Sequence, residues 1–305
     1  MTPVLLHPRH GPGLDKALAA IPGVRLRTPR SADQLVTAIE KGAPVLVTYD
    51  WDRRFLVPSL RWVQAISAGV DQFPLSELTD WGIVLTSARG AHSPAVAEHA
   101  LTLVMALLRR LPGAIDRAWD REWRPEMATE LAGRTATILG FGSIGQQIAQ
   151  RLSALGAEVI GVRRKPEPAE TAGQVVGTDQ LHWALQQSSI LVVCLPETAA
   201  THGTVGSEEL RALGRGWLVN VGRGSTLDEN ALVRALQEGQ LLGAALDVTA
   251  TEPLPPHSPL WDLENVIITP HMAWATDRLN PRLVEVVSAN LIAYRGEGEW
   301  VNRVT

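Results

Sequence analysis

The chain has very little cysteine and no block of charge of one sign. Among its 305 residues Cys194 is the only cysteine, which excludes an internal disulfide and is consistent with a reducing compartment. Cys194 lies in the apolar run at residues 190–195 and is interpreted as a buried strand residue. The formal net charge is only -4, so the sequence lacks the electrostatic pattern of a protein that binds nucleic acid or a membrane surface. These absences favour a small molecule as the partner.

Long hydrophobic runs and a leader pattern are missing as well. The longest apolar stretch of helical character, near residues 100–108, is too short to cross a bilayer core of ~30 Å. The N-terminus has no basic segment followed by an apolar one, and Pro3, Pro8 and Pro12 interrupt it early. We therefore expect a soluble, cytoplasmic protein that does not bind a membrane.

The sequence does contain a regular alternation of short apolar runs with segments of helical length. In the first third, the runs lie at residues 4–7, 24–28, 45–49, 62–67 and 83–87. From residue 134 onward, they lie at 135–139, 159–162, 175–176, 190–195, 217–221, 243–248 and 266–269. Strands separated in this way predict parallel α/β structure. Because the chain is longer than one typical domain, we expect two doubly wound, Rossmann-like parallel-sheet domains.

The hexapeptide GFGSIG at residues 140–145 matches the dinucleotide-binding fingerprint, since it follows a predicted strand and opens a predicted helix. The first glycine permits a tight turn, the second lets the backbone approach a pyrophosphate, and the third allows helix and strand to pack closely. The helix N-terminus offers free N–H groups to the anion. The predicted cofactor contacts in this loop are Gly140, Gly142, Ser143, Ile144 and Gly145. An ordinary glycine-rich turn is the alternative.

A basic segment, Arg163, Arg164 and Lys165, follows the next predicted strand. An NAD-specific site usually has an Asp or Glu near this position to bond the ribose 2′-hydroxyl. A carboxylate would repel a 2′-phosphate, whereas guanidinium groups bind it through charge-assisted hydrogen bonds. Arg163 and Arg164 therefore predict a preference for NADP(H), with NAD(H) possible. A solvated basic turn is the alternative interpretation.

Three further segments end strands in the second half of the chain: LVNVGRG at residues 218–224, LDVTATEPLP at 246–255 and TPHMA at 269–273. Together with GFGSIG, they occur in the order and approximate spacing of the D-isomer-specific 2-hydroxyacid dehydrogenase family. The chain resembles in particular the glyoxylate/hydroxypyruvate reductase branch of that family, and the likeness extends over nearly the whole chain.

The resemblance implies that Arg223, Glu252 and His271 form the catalytic set, and the chemistry of these residue types agrees. The planar guanidinium of Arg223 can hold the substrate carboxylate and polarise its carbonyl group. His271 can protonate the carbonyl oxygen, because imidazole titrates near neutral pH. Glu252 would pair with the imidazolium and orient the ring. Each residue taken singly could have a structural role, so the assignment depends on the ordered set.

The resemblance also implies supporting residues. The segment SAGVD at residues 67–71 resembles the family's loop whose backbone N–H groups receive the substrate carboxylate, and Asp247 is expected to bond the nicotinamide carboxamide. Trp51 and Trp274 lie near predicted strand ends and are candidates for the pocket wall, with ordinary packing as the alternative. The remaining expected contacts are Leu195, Pro196, Val221 and Gly222 for the cofactor, and Ala68, Gly69, Arg223 and His271 for the substrate.

The resemblance implies a cofactor domain inserted into a discontinuous substrate domain. We expect residues 1–95 and 278–305 to form the substrate domain and residues 96–277 the cofactor domain, with the active site in the cleft between them. A homodimer is expected, with residues 98–133 as the candidate arm. The expected reaction is reduction of glyoxylate, hydroxypyruvate or another short 2-oxo acid to the D-2-hydroxy acid. No metal site is predicted.

Two other functions share the same scaffold. A formate dehydrogenase would keep the Arg/His pair, but that relative carries Gln where this chain has Glu252. A dinucleotide-sensing regulatory protein of the C-terminal-binding corepressor type would bind the cofactor without significant turnover. Oxidation of NADPH by 2-oxo acids separates the enzyme from such a regulator.

Overall fold

The computed structural model describes all 305 residues, and the chain divides into two compact units. The first unit comprises residues 1–92 and 275–305, and the second comprises residues 93–274. The domain boundaries expected from the sequence, after residues 95 and 277, lie close to these limits. The helices of the chain are all too short or too polar to cross a membrane.

The first unit is a parallel sheet with helices between its strands. Its strands are β1 (Thr2–Leu6), β2 (Val24–Arg27), β3 (Val45–Thr48), β4 (Trp62–Ala65) and β5 (Val84–Thr86). Its helices are α1 (Leu14–Ala19), α2 (Ala32–Glu40), α3 (Leu75–Asp80) and α10 (Leu279–Tyr294). The strand order is β2-β1-β3-β4-β5, and every pairing is parallel. The central strands β3 and β4 are buried along their whole length, as parallel strands covered on both faces are.

The C-terminal helix α10 completes the core of this first unit. Its apolar residues recur every four positions, which places them on one face of the helix. That face packs in one cluster with residues of β1 and α1, and the α10 members are Leu279, Leu283, Val287 and Leu291. The sequence predicted this helix at about residues 276–294 and suggested that it packs on the N-terminal part of the chain, and the structure confirms both.

The second unit is a larger parallel sheet. Its strands are β6 (Thr135–Leu139), β7 (Glu158–Val162), β8 (Gln174–Val176), β9 (Ile190–Val193), β10 (Trp217–Asn220), β11 (Gly243–Leu246) and β12 (Val266–Ile268). Its helices are α4 (Ser93–Leu108), α5 (Leu111–Trp119), α6 (Ser143–Ala154), α7 (Leu181–Gln186), α8 (Ser207–Leu213) and α9 (Glu229–Gln237). The order is β12-β11-β10-β9-β6-β7-β8, with all pairs parallel. The strands that follow β6 are added on one side of it as far as β8, and those from β9 onward are added on its other side. The boundary between β6 and β9 is thus the switch point of the strand order, where doubly wound sheets bind ligands.

Both sheets agree with the fold class predicted from the sequence, and each predicted strand is present. The interpretation of Cys194 is wrong, because this residue lies just beyond β9 and is partly exposed. Its N–H donates to the Leu139 carbonyl at 2.7 Å, and the chain then leaves the sheet. Desolvation nevertheless raises the pKa of the Cys194 thiol to about 12, so the thiol stays protonated.

Candidate active site

The residues that the sequence singled out in the second unit lie at one edge of its sheet. The strands are parallel, so their carboxyl ends meet at the same side. The glycine loop follows β6, Leu195 follows β9, Arg223 follows β10, Asp247 follows β11 and His271 follows β12. This edge therefore carries both the predicted phosphate site and the predicted catalytic residues.

In the 140–145 loop, packing requires glycine at the first and last positions, whereas the middle glycine, Gly142, borders open space. A Cβ atom on Gly140, whose φ is +96°, would lie 2.7 Å from the Cys194 carbonyl carbon. A Cβ atom on Gly145 would lie 2.6 Å from the Gly140 carbonyl oxygen. A Cβ atom on Gly142 would meet no atom within 4 Å, and Gly142 is exposed. Open space at the second glycine is the property expected where a pyrophosphate approaches the backbone.

Helix α6 begins directly beyond that space. Gly142 is its N-cap residue, and no side chain caps the first turn. Ser143 Oγ lies 2.9 Å from Ser93 Oγ at the start of α4, and Ile144 packs on the core of the unit. The N–H groups of the first turn thus face the space at Gly142 with the partial positive charge of the helix N-terminus, which fits an anionic group.

The basic segment after β7 contains one paired cation and two exposed ones. Arg163 Nη2 donates to the carboxylate of Glu167 at 2.9 Å and to the Glu167 carbonyl oxygen at 3.0 Å. These two hydrogen bonds join the ends of the loop at residues 163–167. Its Nε is buried without a partner. Arg164 and Lys165 are exposed. Both arginines are predicted from the sequence to bind the 2′-phosphate, but their surroundings differ.

A set of hydrogen bonds shapes the turn that carries Arg223. Asn220, fully buried at the end of β10, accepts the Gly222 N–H at 3.0 Å and donates to the Arg223 carbonyl at 3.1 Å. Thr226 Oγ1 donates to the same carbonyl at 2.6 Å. A Cβ atom on Gly222 would lie 2.6 Å from the Leu195 carbonyl oxygen, so the ends of β9 and β10 touch. These contacts fix the backbone from which the Arg223 guanidinium projects.

Asp247 anchors the segment that follows β12. Its Oδ1 accepts the Thr269 hydroxyl at 2.6 Å and the Met272 N–H at 3.0 Å, and its Oδ2 accepts the Ala273 N–H at 3.0 Å. Burial by itself would raise the pKa of Asp247, but the hydrogen bonds it receives, including one from His99, outweigh burial and lower it. Asp247 is therefore ionised at neutral pH, and its carboxylate holds the chain around His271.

Glu252 and His271 form a hydrogen-bonded pair. Glu252 Oε2 lies 2.7 Å from His271 Nδ1, and Glu252 Oε1 accepts the Thr249 N–H at 3.1 Å. An ionised carboxylate can only accept, so Nδ1 donates its proton to Glu252 and Nε2 is the nitrogen left to exchange a proton elsewhere. Both side chains remain partly exposed, which keeps the imidazole accessible to a reactant. This is the orientation that an acid/base histidine needs.

His271 also has a left-handed backbone conformation, with φ +50°. For a residue with a side chain this conformation costs about 1–2 kcal/mol. The His271 N–H donates to the Asp247 carbonyl at 2.8 Å and to the Thr269 carbonyl at 2.9 Å, which holds the turn. Strain maintained by specific hydrogen bonds is typical of functional residues.

These features agree with a family comparison. The sequence model of the D-isomer specific 2-hydroxyacid dehydrogenase NAD-binding domain matches residues 101–273. The chain belongs to this family. The match contains the glycine loop and the segments of Arg223, Glu252 and His271, and it identifies the second unit as a domain that binds a nicotinamide dinucleotide.

Individual relatives place the chain in the glyoxylate/hydroxypyruvate reductase branch of the family. It is 37% identical over 252 residues to a glyoxylate reductase of Korarchaeum cryptofilum, which covers 79% of this chain and 75% of that protein. It is 34% identical over 244 residues to a glyoxylate/hydroxypyruvate reductase of Arabidopsis thaliana, with 78% and 74% covered. Among solved structures, an NADPH-dependent glyoxylate/hydroxypyruvate reductase from Sinorhizobium meliloti, in complex with NADP and malonate, has a TM-score of 0.84. That structure is 33% identical and aligns over 100% of this chain and 97% of its own.

In the first unit of this family member, the SAGVD loop follows β4. Ser67 Oγ donates to the Gly69 carbonyl at 2.7 Å, and Gln72 Nε2 lies 3.2 Å from Ser67 Oγ and donates to the Tyr49 carbonyl at 2.9 Å. The loop after β4 is therefore tied to the end of β3. Ala68 and Gly69 are partly exposed, as a loop that binds a ligand through its backbone must be.

The two candidate tryptophans have different surroundings. Trp51 packs edge-on against Phe55, with ring centroids 5.6 Å apart, and against Phe73 at 5.9 Å, and its indole N–H is buried without a partner. Trp274 is exposed. Trp51 therefore has a packing role in the first unit. The assignment of Trp51 and Trp274 to the substrate pocket stays a prediction.

Several residues that support the site were not predicted from the sequence. Asn220 shapes the Arg223 turn, the Thr249 N–H holds Glu252, and Thr269 binds Asp247. All three lie inside the motifs quoted above, so the motifs pointed to these positions. The motifs did not show which groups these residues bind. His99 had no local signal, because it contacts residues about 150 to 170 positions further along the chain.

Proposed function

We propose that this protein reduces a short 2-oxo acid, such as glyoxylate or hydroxypyruvate, to the D-2-hydroxy acid, with NADPH as the preferred reductant. The observation that carries the proposal is the 2.7 Å hydrogen bond between Glu252 and His271 at the strand edge that also holds the glycine loop and Arg223. The family relationship and the reductases named above support the same reaction.

His271 and Glu252 supply the proton. In the reductive direction, Nε2–H of the imidazolium donates to the carbonyl oxygen of the substrate, which becomes the hydroxyl group. The Glu252 carboxylate stabilises the imidazolium through Nδ1–H and keeps the ring from turning away. In the oxidative direction, neutral His271 accepts the hydroxyl proton at Nε2.

Arg223 holds the substrate. Its guanidinium can bind the carboxylate and a carbonyl oxygen together, which orients the carbonyl carbon and stabilises charge that develops on its oxygen. The Asn220 and Thr226 hydrogen bonds to the Arg223 carbonyl make this position rigid. Ala68 and Gly69 are proposed to bind the carboxylate through their N–H groups, and Trp51 and Trp274 are candidates for contact with the substituent.

The residues of the second unit fit a dinucleotide. The N–H groups that follow Gly142 would hold the pyrophosphate, and Asp247 Oδ2, which accepts a single hydrogen bond from Ala273, retains a lone pair for the carboxamide. When bound, the reduced dinucleotide supplies the hydride that adds to the carbonyl carbon. The other proposed cofactor contacts are Gly140, Ser143, Ile144, Gly145, Leu195, Pro196, Val221 and Gly222.

The preference for NADPH rests on the basic segment after β7. No carboxylate occupies the position next to β7 where one would repel a 2′-phosphate. Arg164 is exposed, whereas Arg163 is paired with Glu167, so Arg164 is the principal candidate for the phosphate contact. Arg163 supports the loop and can contribute when its ion pair opens.

A homodimer is part of the proposal, with residues 98–133 as its arm. Helix α5 has no buried residue, and the segment around it exposes Trp119 at 82% and Trp123 fully. Large exposed aromatic side chains are typical of protein interfaces. Sedimentation that shows a monomer at micromolar concentration would contradict this part.

The test is a panel of short 2-oxo acids with NADPH and NADH as alternative reductants. The proposal expects oxidation of the cofactor by at least one acid, a D-configured product where the product is chiral, and a larger kcat/KM with NADPH. Tight binding of the cofactor without turnover of any acid would instead support the dinucleotide-sensing regulator, and equal or better use of NADH would remove the NADPH preference.

A further inference from the structure

A hydrogen-bond relay connects helix α4 with the segment that carries His271. His99 Nε2 lies 3.0 Å from Thr269 Oγ1 and 3.3 Å from Asp247 Oδ1. The Thr269 hydroxyl donates to Asp247 Oδ1 at 2.6 Å. The side chain of Asp247 is 1% exposed and that of His99 is 18% exposed, so solvent competes little for these contacts.

The direction of each hydrogen bond follows from the chemistry of the groups. Asp247 is ionised and can only accept, so the single hydroxyl proton of Thr269 points to it. The Thr269 oxygen must then accept from the ring that faces it. His99 Nε2 therefore carries a proton, which it donates to Thr269 Oγ1 at 3.0 Å and shares with Asp247 Oδ1 at 3.3 Å.

The relay ends on the residue that holds the catalytic segment. Asp247 accepts the N–H of His271 at its backbone carbonyl and the N–H groups of Met272 and Ala273 at its carboxylate. These three consecutive N–H groups define the turn in which His271 has its positive φ. A different rotamer of Asp247 would release two of them, and His271 Nδ1 would lose its alignment with Glu252.

We propose that His99 is a positioning residue for His271. By donating to Thr269, it holds the Thr269 hydroxyl and the Asp247 carboxylate in the orientation that binds the N–H groups of residues 272 and 273. His99 makes no hydrogen bond to Glu252 or His271 and does not exchange protons with the substrate. The predicted effect of His99 on kcat rests on the proposed function, whereas its predicted effect on the conformation of residues 269–275 does not.

The test compares His99→Ala, which removes the donor, with His99→Gln, whose side-chain amide retains one. His182→Ala is the matched control, because His182 also makes a hydrogen bond through Nε2, at 2.8 Å to Glu209, but lies outside the site. The first readout is hydrogen–deuterium exchange of peptides that cover residues 269–275, which reports the loop without turnover. The second is kcat with the best 2-oxo acid, since misplacement of a catalytic group by ~1 Å can lower the rate up to about 100-fold.

The expected result is faster exchange of residues 269–275 in His99→Ala and exchange close to wild type in His99→Gln and His182→Ala. We also expect kcat to fall about tenfold in His99→Ala, with KM changed less than about threefold, and to recover in His99→Gln. Wild-type exchange in His99→Ala, or equal effects of the Ala and Gln variants, would overturn the proposal. If wild type reduces no 2-oxo acid, the proposed function fails, and the exchange data still decide on the role of His99.

Discussion

Glu252 Oε2 lies 2.7 Å from Nδ1 of His271, and the other oxygen of the same carboxylate accepts the N–H of Thr249. The carboxylate is thus held at both oxygens, one by the backbone of its own loop and one by the ring it orients. This arrangement fixes which imidazole nitrogen faces a reactant. A histidine in solution has no such preference. Under the proposed function, the pair directs the imidazole as an acid or base.

The first prediction concerns the charge on Glu252. Glu252→Gln keeps the shape of the side chain but removes the negative charge that stabilises the imidazolium. We expect kcat for 2-oxo acid reduction to fall about 10- to 100-fold, at or below the ~100-fold lower end of what general acid catalysis contributes, because His271 itself is retained. Glu264→Gln is the control, since Glu264 is exposed and outside the site. A Glu252→Gln enzyme as fast as the control would show that the charge is not needed.

The second prediction separates binding from packing in the glycine loop. A Cβ atom on Gly142 meets no atom, so Gly142→Ala should keep the melting temperature but weaken dinucleotide binding at least about tenfold by filling the pyrophosphate space. A Cβ atom on Gly145 would lie 2.6 Å from a carbonyl oxygen, so Gly145→Ala should lower the melting temperature by several degrees. Thermal melts and fluorescence titration with NADPH measure both. Unchanged NADPH affinity in Gly142→Ala contradicts the assignment of the loop.

The third prediction concerns the exposed arginine after β7. Arg164→Ala should raise the Kd for NADPH about 10- to 100-fold, because one or two charge-assisted hydrogen bonds to the 2′-phosphate are lost. The Kd for NADH should stay nearly unchanged. Arg211→Ala, an exposed arginine on α8, controls for the loss of one positive charge. If Arg164→Ala weakens NADPH and NADH equally, Arg164 does not contact the 2′-phosphate.

The fourth prediction concerns Glu167, which engages Arg163 at 2.9 Å. Glu167→Gln removes a negative charge near the proposed phosphate site and weakens the hold on Arg163. We expect the ratio of NADPH to NADH affinity to increase about threefold or more, in the direction opposite to Arg164→Ala. A decrease of this ratio would mean that the Arg163–Glu167 pair serves NADPH binding by holding its loop in shape.

The fifth prediction is a pH dependence of stability that arises at His92. Its Nε2–H donates to the Ile66 carbonyl at 2.8 Å, and burial is the main reason that its pKa is lowered from 6.5. The unfolded chain therefore binds a proton at a higher pH than the folded protein, so the free energy of unfolding falls as the pH drops from 6.5 toward the lowered pKa. His92→Gln keeps a donor for Ile66 and should flatten this decline, which urea denaturation between about pH 7.5 and 5.5 measures. His7, whose pKa is also lowered by burial, leaves a residual slope. If the free energy of unfolding of His92→Gln depends on pH as steeply as that of wild type, a group other than His92 causes the dependence.

Much of the fold and the glycine loop could be predicted because their signals are local. A strand, a turn with spaced glycines and an amphipathic helix adjoin each other in the sequence, and the turn at residues 140–145 has the packing that its glycines imply. Arg223, Glu252 and His271 could be named because ordered motifs carried them, and parallel strands bring such motifs to one sheet edge.

Contacts between distant parts of the chain could not be predicted in this way. Nothing near His99 indicates that it faces Thr269 and Asp247, since that contact depends on how α4 packs beside β11. The difference between Arg163 and Arg164 also required the structure, because only the course of the loop brings Glu167 to one arginine and not to its neighbour. The positive φ of His271 likewise depends on hydrogen bonds that the N–H groups of residues 271–273 donate to Asp247, which is distant in the sequence.

The role of His271 as the proton donor is tested most directly by kcat of His271→Asn and of wild type on the 2-oxo acid that the enzyme reduces best. The NADPH Kd is determined for both proteins. Asn tolerates a positive φ and can still donate to Glu252, but it cannot deliver a proton. We expect kcat to fall at least about 100-fold while the Kd changes less than about threefold. A His271→Asn enzyme with kcat near that of wild type would contradict this role of His271.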